Sequence, residues 1–408
     1  MTTWIETFAR AVENGATELD AVLAREEAVD KIRAVLEDTK TATVENDKAI
    51  YRLLGACRVF MRDQRGIDKL LSAESLDSFM KLAEDGSWSS PLREEALKCM
   101  INSVYSRPEF VSETLIVKGF VARLLRLAKQ EGTVSLHWLV WKVLLVSGEA
   151  PEIPRYLSSS LEVWQLIYVT LLYGYKHQNQ AYIVTGDRAT LLLDLVKLIA
   201  VLVNEMQWTA EQEKLLPDVF NTVHRLGRLL LEILQFKHPN VSPLTDNLLD
   251  LKNKVIEVLM LLPESLLAAF IQQQQQESVG LNDRSLVPVL DHLHSMLLVV
   301  RVEKTRPLKE MLPTLIVCHN LVKTGGPDIL TCFKKAILPT QDTEASAGDR
   351  TKAFFFKHLK FFLTCLDTDV RRYASEWLFL LCDENAKEYT HHTGVGNAIG
   401  LLRMKGLA

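Results

Sequence analysis

Strand signals are nearly absent from these 408 residues. There is little period-two alternation and no hairpin dipeptide between β-branched runs, which excludes a sheet protein. An excess of one charge is absent too, since 47 Lys and Arg face 51 Asp and Glu for a formal charge of −4. That balance excludes broad electrostatic affinity for nucleic acid or an anionic membrane, while leaving room for local basic patches. No charge-free apolar run approaches the ~20 residues that span a bilayer. The opening MTTWIETFARAVENG carries acids early and lacks an apolar core, so it does not read as a signal peptide. Six cysteines (Cys57, Cys99, Cys318, Cys332, Cys365 and Cys382) are scattered, with no pair at metal-ligand or redox spacing. Buried free thiols in a reducing, cytoplasmic setting are the expectation.

Catalytic motifs are missing as well. There is no Walker-type loop, no His-Glu-x-x-His and no Gly-x-Ser-x-Gly. Gly394, Gly396 and Gly400 imitate part of a dinucleotide fingerprint, but a helical pattern precedes them where that fingerprint needs a strand. A turn and a helix start explain these glycines. His391 and His392 would diverge by about 100° on a helix, and His292 and His294 by twice that, so both pairs read as ordinary polar positions. A non-catalytic protein without cofactor or metal is expected.

What the chain does have is apolar residues, 48% of the total, at helical period almost throughout. Short polar turns at 84–87, 148–151, 176–179, 237–240 and 324–327 interrupt the pattern. The anchoring leucines Leu54, Leu97 and Leu139 are 43 and 42 residues apart, inside the ~40–47-residue range of armadillo and HEAT repeats. The expected fold is therefore all-α, an armadillo/HEAT-like α-solenoid whose helical repeats form a right-handed superhelix, with 1–408 as one domain. Two stretches break the rhythm. The five glutamines at 272–276 read as a solvated helix end or loop. TQDTEASAGDR at 340–350 reads as a mobile loop between repeats.

One polar cluster suggests binding. Arg58, Arg62 and Arg65 are spaced i, i+4, i+7, which predicts three guanidinium groups along one helix face. A solvated face partly neutralised by Asp63 is one reading. A clamp for carboxylate or peptide backbone on the inner surface of a solenoid is the other, since Arg suits bidentate recognition. Asn102 falls roughly 60° from Arg62 around comparable helices, so the two are expected to reach one groove from neighbouring repeats. Asn204 and Asn320 sit similarly late in Leu-rich helices, where an Asn can also cap a helix end. A second patch, TKAFFFKHLKFFLTC, sets Lys352, Lys357 and Lys360 among five phenylalanines. It reads as a helix buried on two sides, or as an aromatic edge for docking an amphipathic helix.

Near the end, the block at 366–406 is LDTDVRRYASEWLFLLCDENAKEYTHHTGVGNAIGLLRMKG. Its first half reads as an amphipathic helix capped by Asp367 or Thr368, with Arg371 and Arg372 outside the apolar stripe. Its second half is a turn cluster at 393–397 that launches another short helix. Together with REEALKCMINSVYS and CRVFMRDQRGIDKLL, this block resembles the synembryn (resistance to inhibitors of cholinesterase) family of Gα chaperones and exchange factors. The run Thr-Gly-x-Gly-Asn-Ala-x-Gly-Leu-Leu is the most distinctive part of the resemblance.

The resemblance implies an armadillo/HEAT-like solenoid that binds GDP-bound or nascent heterotrimeric G-protein α subunits. It implies that the Gα C-terminal helix is held in a concave groove, that GDP release is promoted, and that Gα folding is chaperoned. It carries the Gα-tail contacts onto Arg58, Arg62 and Asn102, whose flanking motifs match. Arg65, Asn320, Lys357, Lys360, Arg371 and Arg372 are candidates for secondary contacts. A monomeric cytoplasmic protein, recruited to the cell cortex or plasma membrane through Gα, is expected. Relatives continue past the position of Ala408 into an acidic, phosphorylatable segment and further helices, so that tail is expected to be missing after 408. The alternative is a generic armadillo scaffold for another extended peptide or helical partner.

Overall fold

The computed structural model describes residues 2–15, 19, 21–38, 42–107, 113–176, 186–235, 246–264, 266–267, 286–339 and 347–408. Among these residues every regular element is a helix. The glutamine run at 272–276 lies outside the described residues, as do positions 340–346 of the polar stretch. From Ala347 the chain is already helical, so the loop expected over 340–350 ends at least four residues earlier. Gly348 is the one helix breaker in those four positions, and a single glycine costs a helix only about 1 kcal/mol. The polar turns at 84–87, from Asp85 on, and at 148–151 fall between helices, whereas at 324–327 Gly325 alone separates two helices. Those at 177–179 and 237–240 lie outside the described residues.

Packing gathers the chain into two compact units, Met1–Gly174 with Thr185–Met206 and Tyr175–Val184 with Gln207–Ala408. The helices of the first are α1 (Thr2–Glu13), α2 (Val22–Asp38), α3 (Val44–Phe60), α4 (Ala73–Glu84), α5 (Ser90–Ser106), α6 (Phe120–Lys129), α7 (Val134–Ser147), α8 (Glu152–Ser158), α9 (Leu161–Lys176) and α10 (Gly186–Glu205). One row, α1, α3, α5, α7 and α10, packs side by side in that order, and α4, α6 and α8 form a second layer against α5, α7 and α10.

Helices α3, α5 and α7 start with hydroxyl caps. Thr43, Ser89 and Thr133 accept from the backbone N–H three residues on. Two of these caps are clamped by an acid from the preceding row helix. Asp47 accepts from Ser89 N and Oγ at 2.9 and 2.8 Å, and Glu94 from Thr133 Oγ1 at 2.7 Å and Ser135 Oγ at 3.0 Å. The start of one helix is thereby keyed to the start of its neighbour.

The repeat register between α5 and α7 is 44 residues, from cap Ser89 to cap Thr133. At that offset buried Leu92 matches Leu136, Ala96 matches Val140 and Met100 matches Leu144. Ser103 and Ser147 match as well, each donating its hydroxyl to the carbonyl four residues back. The leucine spacing of 42 is therefore two residues off, and Leu97 corresponds to Trp141. Leucines recur so densely in these helices that only the phase of burial selects the right pair. From α7 to α10 the offset is 55, which aligns buried Leu136 with Leu191, Val140 with Leu195 and Leu144 with Ile199. The extra length is the chain spent on α8 and α9.

The second unit holds α11 (Ala210–Leu215), α12 (Pro217–Gln235), α13 (Asp246–Leu261), α14 (Val287–Leu297), α15 (Leu312–Thr324), α16 (Gly326–Ile337), α17 (Ala347–Phe362), α18 (Thr368–Leu381), α19 (Ala386–Thr393) and α20 (Val395–Met404). Here α13, α15, α18 and α20 make one row, and α12, α14 and α17 another. Asp367 caps α18, its Oδ1 accepting from Asp369 N and Val370 N. Val370, Ala374, Trp377, Leu378 and Leu381 are buried, as their spacing demanded. Cys382 closes the helix as its C-cap. The additional helix α19, capped by Asn385, was not legible in the turn-rich sequence. Gly394, at φ +89°, separates it from α20 in a conformation that only glycine adopts without strain.

His292 departs from expectation. It is 2% exposed on α14, and among the described residues neither ring nitrogen has a hydrogen-bond partner. Burial first, then the Lys252 charge, hold its pKa down to about 3, so it is a neutral core residue. The unfolded chain takes up this proton near its ordinary pKa of ~6.5, whereas the folded chain does so near 3. Stability is accordingly full above ~6.5 and is lost progressively as pH falls toward 3. Between pH 7 and pH 5 the parent chain should lose about 2 kcal/mol more than His292→Leu. Urea unfolding of both proteins at the two pH values checks this, and equal losses would contradict it.

Candidate functional site

Helix α3 ends at Phe60, with Met61 as its C-cap. Arg62 and Arg65 are therefore not on the helix that carries Arg58, and the expected face of three guanidinium groups does not form. The cause lies in α2. Arg25, 5% exposed, donates through Nε to Arg65 O at 2.6 Å and through Nη2 to Phe60 O at 3.0 Å and Asp63 O at 2.6 Å. Its guanidinium also stacks on the Phe60 ring, 3.9 Å from the centroid. A buried cation that collects carbonyls from the helix end and from the following turn favours chain reversal over another helical turn. Gly66 completes the reversal at φ +67°, where a Cβ would come within 2.9 Å of Val22 O.

Within the turn, Arg65 folds back on Asp63, with Nε 3.0 Å from Oδ1 and Nη2 2.6 Å from Oδ2. These bonds hold the Asp63 carboxyl well below the usual range. Arg62 is exposed, and its guanidinium has no partner among the described residues.

Arg58 and Asn102 do meet across the α3–α5 contact. Asn102 Nδ2 donates to Arg58 O at 3.1 Å, and Arg58 Nε donates to Glu95 Oε1 at 2.6 Å. The Glu95 side chain is 4% exposed, and its other oxygen accepts from Lys98 Nζ at 3.0 Å. The Glu95 bond raises the Arg58 pKa further. Arg58 is thus a permanent charge, 39% exposed along its side chain, with one donor anchored.

The same construction recurs between α7 and α10. Asp194, also 4% exposed along its side chain, accepts from Lys142 Nζ and Lys197 Nζ, each at 3.1 Å. It accepts from Trp138 Nε1 at 2.9 Å as well. Burial pushes the Asp194 carboxyl up, but the Trp138 and Lys197 bonds and the two lysine charges outweigh it, and the net shift is downward. At the offsets of 44 and 55 residues, Lys98, Lys142 and Lys197 occupy one and the same position on α5, α7 and α10. Glu95 and Asp194 share another, which α7 fills with Leu139. Sequence inspection missed Arg25, Glu95, Asp194 and this lysine row. Its visible trace is Glu-x-x-Lys at 95–98 and Asp-x-x-Lys at 194–197.

The remaining candidates belong to the second unit. Asn320 lies inside α15, where Oδ1 is 3.1 Å from His319 Nδ1, so its side chain does not cap a helix end. Lys357 is exposed on α17, and Lys360 sits 5.6 Å from the Phe356 ring centroid. In that helix Phe356 and Phe362 are buried, Phe355 stacks on His294, Arg301 covers Phe361, and Phe354 remains exposed. Arg371 donates to Cys365 O at 3.1 Å and so closes the loop before α18. Arg372 is exposed beside Asp369. All six cysteines are buried thiols, and burial pushes the Cys57 and Cys318 pKa values far up, which leaves them poor nucleophiles. Among the described residues no His, Cys, Asp or Glu group is placed to hold a metal, and no helix is long and apolar enough to cross a membrane.

A family model described as Ric8, the guanine nucleotide exchange factor synembryn, matches residues 53–408. The chain belongs to this family. It is 25% identical to "Chaperone Ric-8A" of Rattus norvegicus over 379 residues, covering 87% of this chain and 68% of the relative. The Bos taurus protein of the same name is 26% identical over 381 residues, with the same coverage. Among solved structures, the SYS-1/POP-1 complex matches with a TM-score of 0.57 at 10% identity, over 88% of this chain and 63% of that one. This chain thus spans less than two thirds of that neighbour, and the likeness shows the fold alone, an armadillo/HEAT-like arrangement of helical repeats. The Ric8 match begins inside α3, so Arg58, Arg62 and Asn102 all lie within it, while Arg25 lies outside.

Arg25 organises the turn that presents Arg62 and Arg65. Arg25→Met removes a buried cation and strands the carbonyls it binds, which should cost about 2–4 kcal/mol. Urea unfolding followed by far-UV circular dichroism measures that loss, and a change below 1 kcal/mol would show that the turn forms without Arg25.

Proposed function

We propose that the chain binds the C-terminal helix of heterotrimeric G-protein α subunits along the α3–α5 contact of its first unit, promotes GDP release and chaperones Gα folding. Arg58 and Arg62 are the cationic contacts and Asn102 the amide contact. The observation that carries this reading is their arrangement within a Ric8-family chain. Arg58 and Asn102 are bonded across two stacked helices, and the exposed Arg62, whose guanidinium has no partner among the described residues, lies in the turn that follows α3.

The chemistry matches the ligand. The last turn of any helix presents free carbonyls and the negative end of the macrodipole, and at a chain terminus it adds an α-carboxylate. Guanidinium groups suit both acceptors. Asn102 has spent a donor on Arg58 O, and its amide oxygen remains to accept from a ligand N–H. Exchange on this reading needs no catalytic side chain. In Gα the C-terminal helix packs on a loop that contacts nucleotide, so a protein that grips the displaced helix favours the open, GDP-free state by differential affinity. Linkage then requires that GDP weaken the complex by the same factor by which the complex weakens GDP binding.

A peptide copying a Gα C-terminus should bind by calorimetry, and Arg62→Ala should weaken it about tenfold, the usual weight of a charge-assisted contact. Purified Gα should release GDP faster in the presence of the chain. No detectable peptide binding would sink the proposal. Intact binding after Arg58 and Arg62 are both replaced would instead favour a scaffold for another partner.

A further inference from the structure

The lysine row reaches two helices beyond Arg58 and Asn102. Lys98, Lys142 and Lys197 hold equivalent positions on α5, α7 and α10, with side chains that are 37%, 29% and 38% exposed. If these lysines served only to neutralise buried acids, one per acid would suffice. Here Glu95 is shared by Arg58 and Lys98, and Asp194 by Lys142 and Lys197. Asp194 has the Trp138 N–H in addition. Helix α7 keeps its lysine although Leu139 fills the acid position. Four cations against two acids leave a positive excess of two along the row. The buried carboxylates hold each ammonium in place, and every lysine has donors to spare beyond its single acid contact.

We propose that this row is a carboxylate ladder, which selects a bound helix carrying acidic side chains at seven-residue intervals upstream of its C-terminus. The proposal rests on the C-terminal-helix reading above and adds a specificity rule to it. The spacing follows from packing. Helices laid side by side are about 8–10 Å apart, and two turns of a bound helix rise about 10.5 Å. A helix crossing α5, α7 and α10 therefore brings every seventh residue of one face to the next lysine. Charge complementarity selects acids there and disfavours Lys or Arg, whose approach to the row would be repulsive.

The test uses the full chain and two synthetic peptides that end in one Gα C-terminal sequence. One carries Glu at seven-residue intervals on one face, and the other carries Gln at the same positions. With the parent chain the Glu peptide should bind about tenfold tighter at low ionic strength, and raised salt should narrow the gap. Lys142→Gln with Lys197→Gln should abolish the discrimination. Lys142→Arg with Lys197→Arg should keep the discrimination, which separates lost charge from disturbed packing. Equal binding of both peptides by the parent chain would overturn the ladder, and so would discrimination that survives the double Gln replacement. Failure of the parent chain to bind either peptide, or indifference of binding to Arg62→Ala, would overturn the C-terminal-helix reading and the ladder with it.

Discussion

A helix that is apolar along one stripe must lay that stripe on a neighbour, and in this chain the neighbour is the next helix of a row. Fully burying one Leu or Val side chain contributes roughly 1.5–3 kcal/mol, and each helix of the α3–α5–α7–α10 row buries several. None of that burial is available to a helix alone. The row is thus a chain of nearest-neighbour interfaces, each of which sets the register of the next. The hydroxyl caps make that register specific, because Asp47 and Glu94 reach from one helix to the start of the following one.

The row also decides what happens to charge. Helices packed this closely leave little room for water between them, and a carboxylate caught there must find cations or protonate. Glu95 and Asp194 each find two. The consequence for binding is preorganisation. A lysine on a free helix surface loses most of its rotamer freedom when it grips a ligand, whereas one already anchored to a buried acid has met much of that cost on folding. Arg25 plays the corresponding part at the end of α3. It holds the turn in which Arg62 stands in solvent, whereas a longer α3 would have carried Arg62 along the helix.

How much of this was legible beforehand differs from residue to residue. The Asp367 cap and the stripe from Val370 to Leu381 were readable because every contact that defines them lies within four residues along the chain. The neighbourhood read from the sequence joined Asn102 to Arg62, whereas the structure bonds the Asn102 amide to Arg58 O. The face of Arg58, Arg62 and Arg65 was misread because nothing local ends α3. Its terminator is a guanidinium from another helix. His292 looked like an ordinary polar position because its two nitrogens are polar in any sequence, and only the packing around α14 makes them buried, with no partner among the described residues.

The sequence by itself determined the all-α class, the start of α18, the offset from α5 to α7 to within two residues, and membership of the Ric8 family. These rest on interactions between residues three or four apart, or on the pattern of the chain as a whole. Tertiary structure alone decided which charges meet. Arg25 finds Arg65 O forty residues away, Arg58 finds Glu95 at thirty-seven, and Trp138 finds Asp194 at fifty-six. Such pairs depend on the register of one helix on the next, and a slip of one residue turns a side chain by about 100°. That register is fixed by burial summed over a whole interface, which no short stretch of sequence contains.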